Sequence, residues 1–163
     1  MSRERRNEEA GEGGADRHDS THGEAGMEEA LRIGLSFERT IIVDESHAAR
    51  HLAGKGIRVL STPEMVRLME ECALNGVLPY LQPEQNTVGT RVEMRHLAPT
   101  PMGMRVTARC TLVEMDRRRL VFRAEVFDEL EKVGEGMNER FIVDRGRHEQ
   151  RLGDKLAKWQ GRG

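Results

Sequence analysis

Residues 62–78 narrow the folds open to this chain more than any other stretch, because they supply its only long apolar helix. Met65, Leu68, Met69, Cys72, Ala73 and Gly76 recur at i, i+3, i+4, i+7, the spacing of a buried helical stripe. Val66, Leu74, Val77 and Leu78 widen that stripe, so the helix should be enclosed on most sides. Its start is marked by Ser61 or Thr62 as cap, by Glu64 three residues after Ser61, and by Pro63 in the first turn. Pro79 ends it.

The remainder of the chain reads as strands that could cover such a helix. Leu35, Phe37, Arg39, Ile41 and Val43 alternate with Ser36, Glu38, Thr40 and Ile42, which predicts a first strand over 33–43. Residues 44–58 follow as a loop with one short helical turn near Ser46 to Leu52, placed as a lid or an ordinary connection. After a turn at 81–86, Thr90, Val92, Met94 and His96 should share the helix-facing side of a second strand. Val106, Ala108, Cys110 and Leu112 line a third, and Leu120, Phe122, Ala124 and Val126 a fourth. A fifth runs from about Val133 to Val143, with Gly134 and Gly136 weakening its start or making a bulge. Leu152, Leu156 and Trp159 are spaced for a short C-terminal helix. One long helix with four antiparallel strands after it predicts an α+β hot-dog fold, about five strands wrapped around the helix. Its unpaired edges make a homodimer the default.

Composition sets outer limits. Residues 1–30 hold four Arg against nine Asp or Glu, a net −5, while the rest of the chain carries +3. With almost no large apolar side chain, that acidic tail should be disordered; the folded domain is expected over 31–145 and a charged tail over 146–163. The mild charge of the domain gives no reason to expect a nucleic-acid partner. His18 and His22 lack a fold to fix them as metal ligands, so no metal is expected. Cys72 and Cys110 read as core thiols of a reducing compartment. Without a run long enough for a signal peptide or membrane span, the expected location is cytoplasmic, with no membrane partner.

Thr62 at the helix start, Glu70 on the helix and His96 on the strand facing it are the candidate catalytic groups. A carboxylate and an imidazole in one pocket can serve as nucleophile and general base, and the Gly89 N–H, with no Cβ in the way, could polarise a carbonyl. Such a set suits acyl transfer to water. Taken singly, each has a plainer reading: a cap, a wet helix side, a core histidine, a bulge. Thr62 and Glu70 are 70 − 62 = 8 residues apart, about 12 Å of helical rise. They can serve one small group only if the substrate lies along the helix or if Glu70 of one chain meets the helix start of another.

Thr62-Pro63, Leu68-Met69-Glu70, Ala73-Leu74, Val88-Gly89-Thr90-Arg91-Val92 and Arg95-His96-Leu97-Ala98-Pro99-Thr100-Pro101 together resemble the hot-dog thioesterases of the fluoroacetyl-CoA thioesterase type, over about Gly34 to Val143. The resemblance implies Thr62, Glu70 and His96 as the catalytic set and Gly89 as the oxyanion contact. Glu139-Arg140 resembles the family's Glu-Arg pair, which implies that Arg140 holds the site or the substrate. Family members that handle fluoroacetyl-CoA have a lid of aromatic residues before the central helix; here residues 47–60 contain no Phe, Tyr or Trp. The implied activity is therefore hydrolysis of a short-chain acyl-CoA, with coenzyme A part of the substrate and no separate cofactor. A hot-dog subunit that binds acyl-CoA without cleaving it is the alternative, and it would tolerate loss of Glu70 or His96. A hot-dog hydratase would need an Asp and His pair near a different helix start, which is not visible. Arg91, Arg95, Arg105 and Arg109 fit either coenzyme A phosphates or a charged outer sheet face.

Overall fold

Alternating apolar and polar side chains build five strands in the computed structural model of the chain, which describes residues 30–49, 54 and 56–162. In chain order the elements are β1 (Ser36–Ile42), α1 (Thr62–Val77), β2 (Gln85–His96), β3 (Arg105–Asp116), β4 (Arg119–Phe127), β5 (Lys132–Asp144) and α2 (Arg145–Gln160). The strands form one antiparallel sheet in the order β1-β3-β4-β5-β2, so β1 and β2 are its edges. All five contact α1, the expected hot-dog arrangement.

The core follows the sequence pattern closely. Met65, Leu68, Met69, Cys72, Ala73 and Val77 of α1 are buried against Val106, Ala108, Cys110 and Leu112 of β3 and Leu120, Phe122, Ala124 and Val126 of β4. Removing one such side chain, as in Leu68→Ala, would cost about 2–5 kcal/mol. Gly76 lets the helix meet β1, since a Cβ there would lie 2.1 Å from the Phe37 ring. Ser61 caps α1 by accepting a hydrogen bond from the Glu64 N–H at 3.4 Å, and a 3-10 turn over Leu78–Tyr80, containing Pro79, follows it.

Three local expectations change. β2 starts at Gln85, inside the stretch read as a turn. The register between β2 and β5 shifts between Gly89 and Arg91, a bulge that breaks strict alternation. Thr90 therefore leaves the helix-facing side, and its hydroxyl donates to the backbone oxygen and to Oε1 of Glu139. Residues 45–47 form a turn in place of a helix, with Asp44 Oδ1 accepting from the N–H and the hydroxyl of Ser46. The rest of the expected helical turn at 50–52, and the acidic tail with His18 and His22, lie outside the described residues.

Asp144 caps α2 by accepting from the Arg147 N–H at 3.0 Å. All sixteen residues of α2 are exposed, and its main contact with the body is through β5. No helix among the described residues is long and apolar enough to cross a membrane.

Candidate active site

The candidate residues fall into two groups, one at each end of β2. At the helix N-terminus, Thr62 Oγ1 lies 2.8 Å from Nδ1 of His96, the last residue of β2. His96 Nε2 is buried and has no hydrogen-bond partner among the described residues. Thr62 and His96 line a cleft of about 770 Å³ whose other walls include Ala48, Ala49, Val59 and Leu60. Like His96 Nε2, Asn138 Oδ1 and Arg39 Nε are buried without a partner among the described residues.

At the other end, Glu70 looks out from the middle of α1 with its side chain 38% exposed. Its Oε1 takes Asn138 Nδ2 at 3.4 Å and Arg140 Nη1 at 3.5 Å, while Oε2 accepts no hydrogen bond among the described residues. Gly89 stands directly against this carboxylate, because a Cβ there would come 2.3 Å from Oε1. Arg140 is buried and forked, giving Nε to the Thr87 hydroxyl at 2.9 Å and Nη2 to the Thr87 carbonyl at 3.2 Å. Burial pulls the pKa of this guanidinium below its ordinary value, and Glu70 pushes it back up. The residue next to it, Glu139, faces the other way and pairs with Arg119 at 2.8 Å. Its pKa is lowered by the Thr90 hydroxyl first and then by Arg119.

One chain thus joins Thr62 to His96 and Glu70 to Gly89 and Arg140, but among the described residues no hydrogen bond or ion pair joins the two groups. Along the strand, Gly89 and His96 are separated by roughly 20 Å at about 3.3 Å per residue. Asn138 and Thr87 belong to the Glu70 group and were not singled out from sequence. The available signal was polar residues at helix-facing positions of two strands, Thr87 beside Gly89 and Asn138 beside Arg140.

The outer sheet face accounts for the four strand arginines. Arg95 pairs with Glu135 at 3.0 Å, Arg105 with Glu129 at 3.5 Å and Arg109 with Glu38 at 2.7 Å, and Arg91 pairs with Glu93. A cleft of about 490 Å³ on that face is lined by Arg95, Glu125, Lys132 and Glu135, whose charges neutralise one another. Among the described residues no group of three or more His, Cys, Asp or Glu is placed to hold a metal ion.

Comparison with known proteins gives this geometry a context. The profile of the fluoroacetyl-CoA-specific thioesterase family matches residues 43–146. The fluoroacetyl-CoA thioesterase of Streptantibioticus cattleyicolor is 31% identical over 123 residues, 72% of this chain and 88% of the relative. A solved structure of the fluoroacetyl-CoA thioesterase FlK superposes with a TM-score of 0.71 at 28% identity, covering 78% of this chain and 98% of that one. A Thermus thermophilus protein described as a thioesterase superfamily member superposes with a TM-score of 0.73 at 25% identity, covering 80% and 96%.

Proposed function

We propose how this chain, which belongs to the fluoroacetyl-CoA-specific thioesterase family, carries out its reaction, the hydrolysis of an acyl-CoA thioester to a free acid and coenzyme A. The substrate we assign is a short-chain acyl-CoA, with no preference for the fluorinated group. Ala48, Ala49, Val59 and Leu60 give the cleft beside Thr62 apolar walls, and residues 47–60 contain no Phe, Tyr or Trp to close over it.

Glu70 Oε2 is the attacking or water-activating oxygen. Arg140 and Asn138 hold Oε1, which fixes the carboxylate and leaves the second oxygen free for the carbonyl carbon or for a water proton. Attack forms a tetrahedral oxyanion that the backbone N–H of Gly89 stabilises. The C–S bond then breaks, and His96, oriented through Nδ1 by Thr62, manages the proton and protonates the departing thiolate from Nε2. Water completes the reaction, either by hydrolysing a Glu70 anhydride or as the direct nucleophile. Hydrolysis in heavy-oxygen water under single turnover separates these routes: label in Glu70 requires the anhydride.

A homodimer completes the site. β2 is an edge strand that carries Gly89 near one end and His96 at the other, so antiparallel pairing of two β2 strands brings unlike ends together. With the two-fold axis near Glu93, Val92 of one copy faces Met94 of the other, and His96 faces the Gly89–Thr90 bulge. Helix-facing side chains then meet helix-facing side chains, as an antiparallel ladder requires. The orphaned His96 Nε2 of each copy is thereby turned to the Glu70 of its partner.

What carries the reading is the Glu70 carboxylate, half-exposed, anchored through one oxygen and pressed against a glycine backbone. Thiol release measured over a panel of acyl-CoA chain lengths tests it. Glu70→Ala and His96→Ala should each lose about 10²–10⁴-fold in kcat. Full activity in both variants would mean that Glu70 and His96 are not the catalytic groups, whereas no thiol release by the parent would leave a subunit that binds acyl-CoA without cleaving it.

A further inference from the structure

The C-terminal helix α2 has no part in the site described above, and all but its first two residues lie beyond the family match at 43–146. It nevertheless has a strongly sided surface. Leu152, Leu156 and Trp159 are 62%, 49% and 70% exposed, and on an ideal helix they fall within about 60° of one another. Arg147, Arg151, Lys155 and Lys158 fall in a neighbouring sector roughly 80° wide. Residues 145–162 hold six Lys or Arg against two Asp or Glu, a net +4.

Two observations separate this helix from the rest of the surface. Most cations of the sheet, among them Arg95, Arg109 and Lys132, are paired with a carboxylate, Arg123 being an exception among the described residues. Those of α2 are in no ion pair among the described residues. A sixteen-residue helix with Gly146 and Gly153, and no buried residue, also gains little from tertiary packing and is marginal alone. At its root the body extends the same surface: Phe141, 42% exposed, shares a shallow groove with Arg118, Arg147, His148 and Arg151.

The occupant must be anionic and must also cover an apolar stripe. A second α2 fails the first condition, since two net-positive helices repel. Residues 1–30 meet the first with their net −5, but their only large apolar side chains are Met1 and Met27. A lipid surface meets both. We propose that α2 is an interfacial anchor that lies flat on membranes containing anionic lipid, with Leu152, Leu156 and Trp159 at the acyl boundary and Arg147, Arg151, Lys155 and Lys158 on the headgroups. Three apolar side chains and a basic flank make this attachment reversible and salt-sensitive. It is a surface contact, consistent with a chain whose described helices are too short or too polar to span a bilayer.

Trp159 is the only tryptophan, so its emission reports the contact directly. The full chain is titrated with vesicles of phosphatidylcholine containing phosphatidylglycerol, and with vesicles of phosphatidylcholine alone. The expected result is a blue shift and co-sedimentation with the anionic vesicles only, both reversed by salt. Leu156→Glu should abolish both and leave acyl-CoA hydrolysis in solution unchanged. Arg151→Gln combined with Lys155→Gln should weaken partitioning roughly thirtyfold. No shift with the anionic vesicles overturns the proposal. So does a shift that follows protein concentration without lipid, which would mean self-association, or one produced by polyglutamate and not by vesicles, which would mean an acidic protein partner.

Discussion

Thr62 Oγ1 lies 2.8 Å from His96 Nδ1, while the cap of the same helix is made by Ser61, which accepts the Glu64 N–H. The contact to the imidazole and the contact that starts the helix therefore belong to adjacent residues and can be removed separately. Thr62→Val keeps the shape and deletes only the hydroxyl. It should lower kcat by about a hundredfold through loss of imidazole orientation. Stability should stay within about 0.5 kcal/mol of the parent. Thr62→Ser should retain most of the activity. Thermal melts and thiol release on the three proteins check this.

Gly89→Ala should produce a folded but crippled enzyme. The added Cβ would meet the tip of Glu70, 2.3 Å from Oε1. A half-exposed carboxylate can swing away into solvent, so the cost falls on the position of the proposed attacking oxygen and not on the core. The expected loss is about a hundredfold in kcat with an unchanged circular dichroism spectrum. Full activity in this variant would remove Gly89 from the site.

Mixing two dead enzymes should restore activity. If each site takes Glu70 from one subunit and His96 from the other, a heterodimer of Glu70→Gln and His96→Ala has one site with both defects and one with none. Random reassortment gives half heterodimers, each with one intact site, so the mixture should recover roughly a quarter of the parental rate. No recovery after unfolding and refolding the two together would place both groups in the same subunit.

The proposed axis makes a geometric prediction. A residue on the two-fold axis of an antiparallel pair faces its own copy, within the Cα separation of about 4.4–6.8 Å that a disulfide needs. Glu93→Cys should therefore cross-link the dimer under mild oxidation, seen as a doubled mass on a non-reducing gel. The native thiols do not compete, because Cys72 and Cys110 are both buried. The Cys110 thiol is also held well above its ordinary pKa by the Cys72 hydrogen bond and by burial.

Arg140→Met tests the anchor of the site. The buried guanidinium satisfies both the hydroxyl and the carbonyl of Thr87, and an apolar replacement leaves these without donors. The expected cost is about 1–3 kcal/mol in denaturant unfolding, together with a fall in kcat as Glu70 loses its anchor. Arg140→Lys should not recover either property in full, since one ammonium cannot reproduce the fork to Thr87 and Glu70.

The sequence by itself determined the elements and their faces. Period 3.6 in residues 62–78 and period 2 in the strands are local properties, readable wherever neighbouring side chains share one environment. That was enough for a helix packed by one stripe against the sheet, with Val66 and Leu74 only half-buried where enclosure on most sides was expected, for the inward faces of β3 and β4, and for placing His96 on the helix-facing side. It also nominated Thr62, Glu70, Gly89 and Arg140 as candidates, since the family resemblance is likewise carried by short runs of residues. Tertiary structure alone decided which of these touch. The bulge at Gly89–Arg91 turned Thr90 outward, Thr87 and Asn138 joined Glu70 across two strands, and the site divided between the two ends of β2. Register and pairing are set by the sum of contacts among residues far apart in the chain, and no local pattern records that sum.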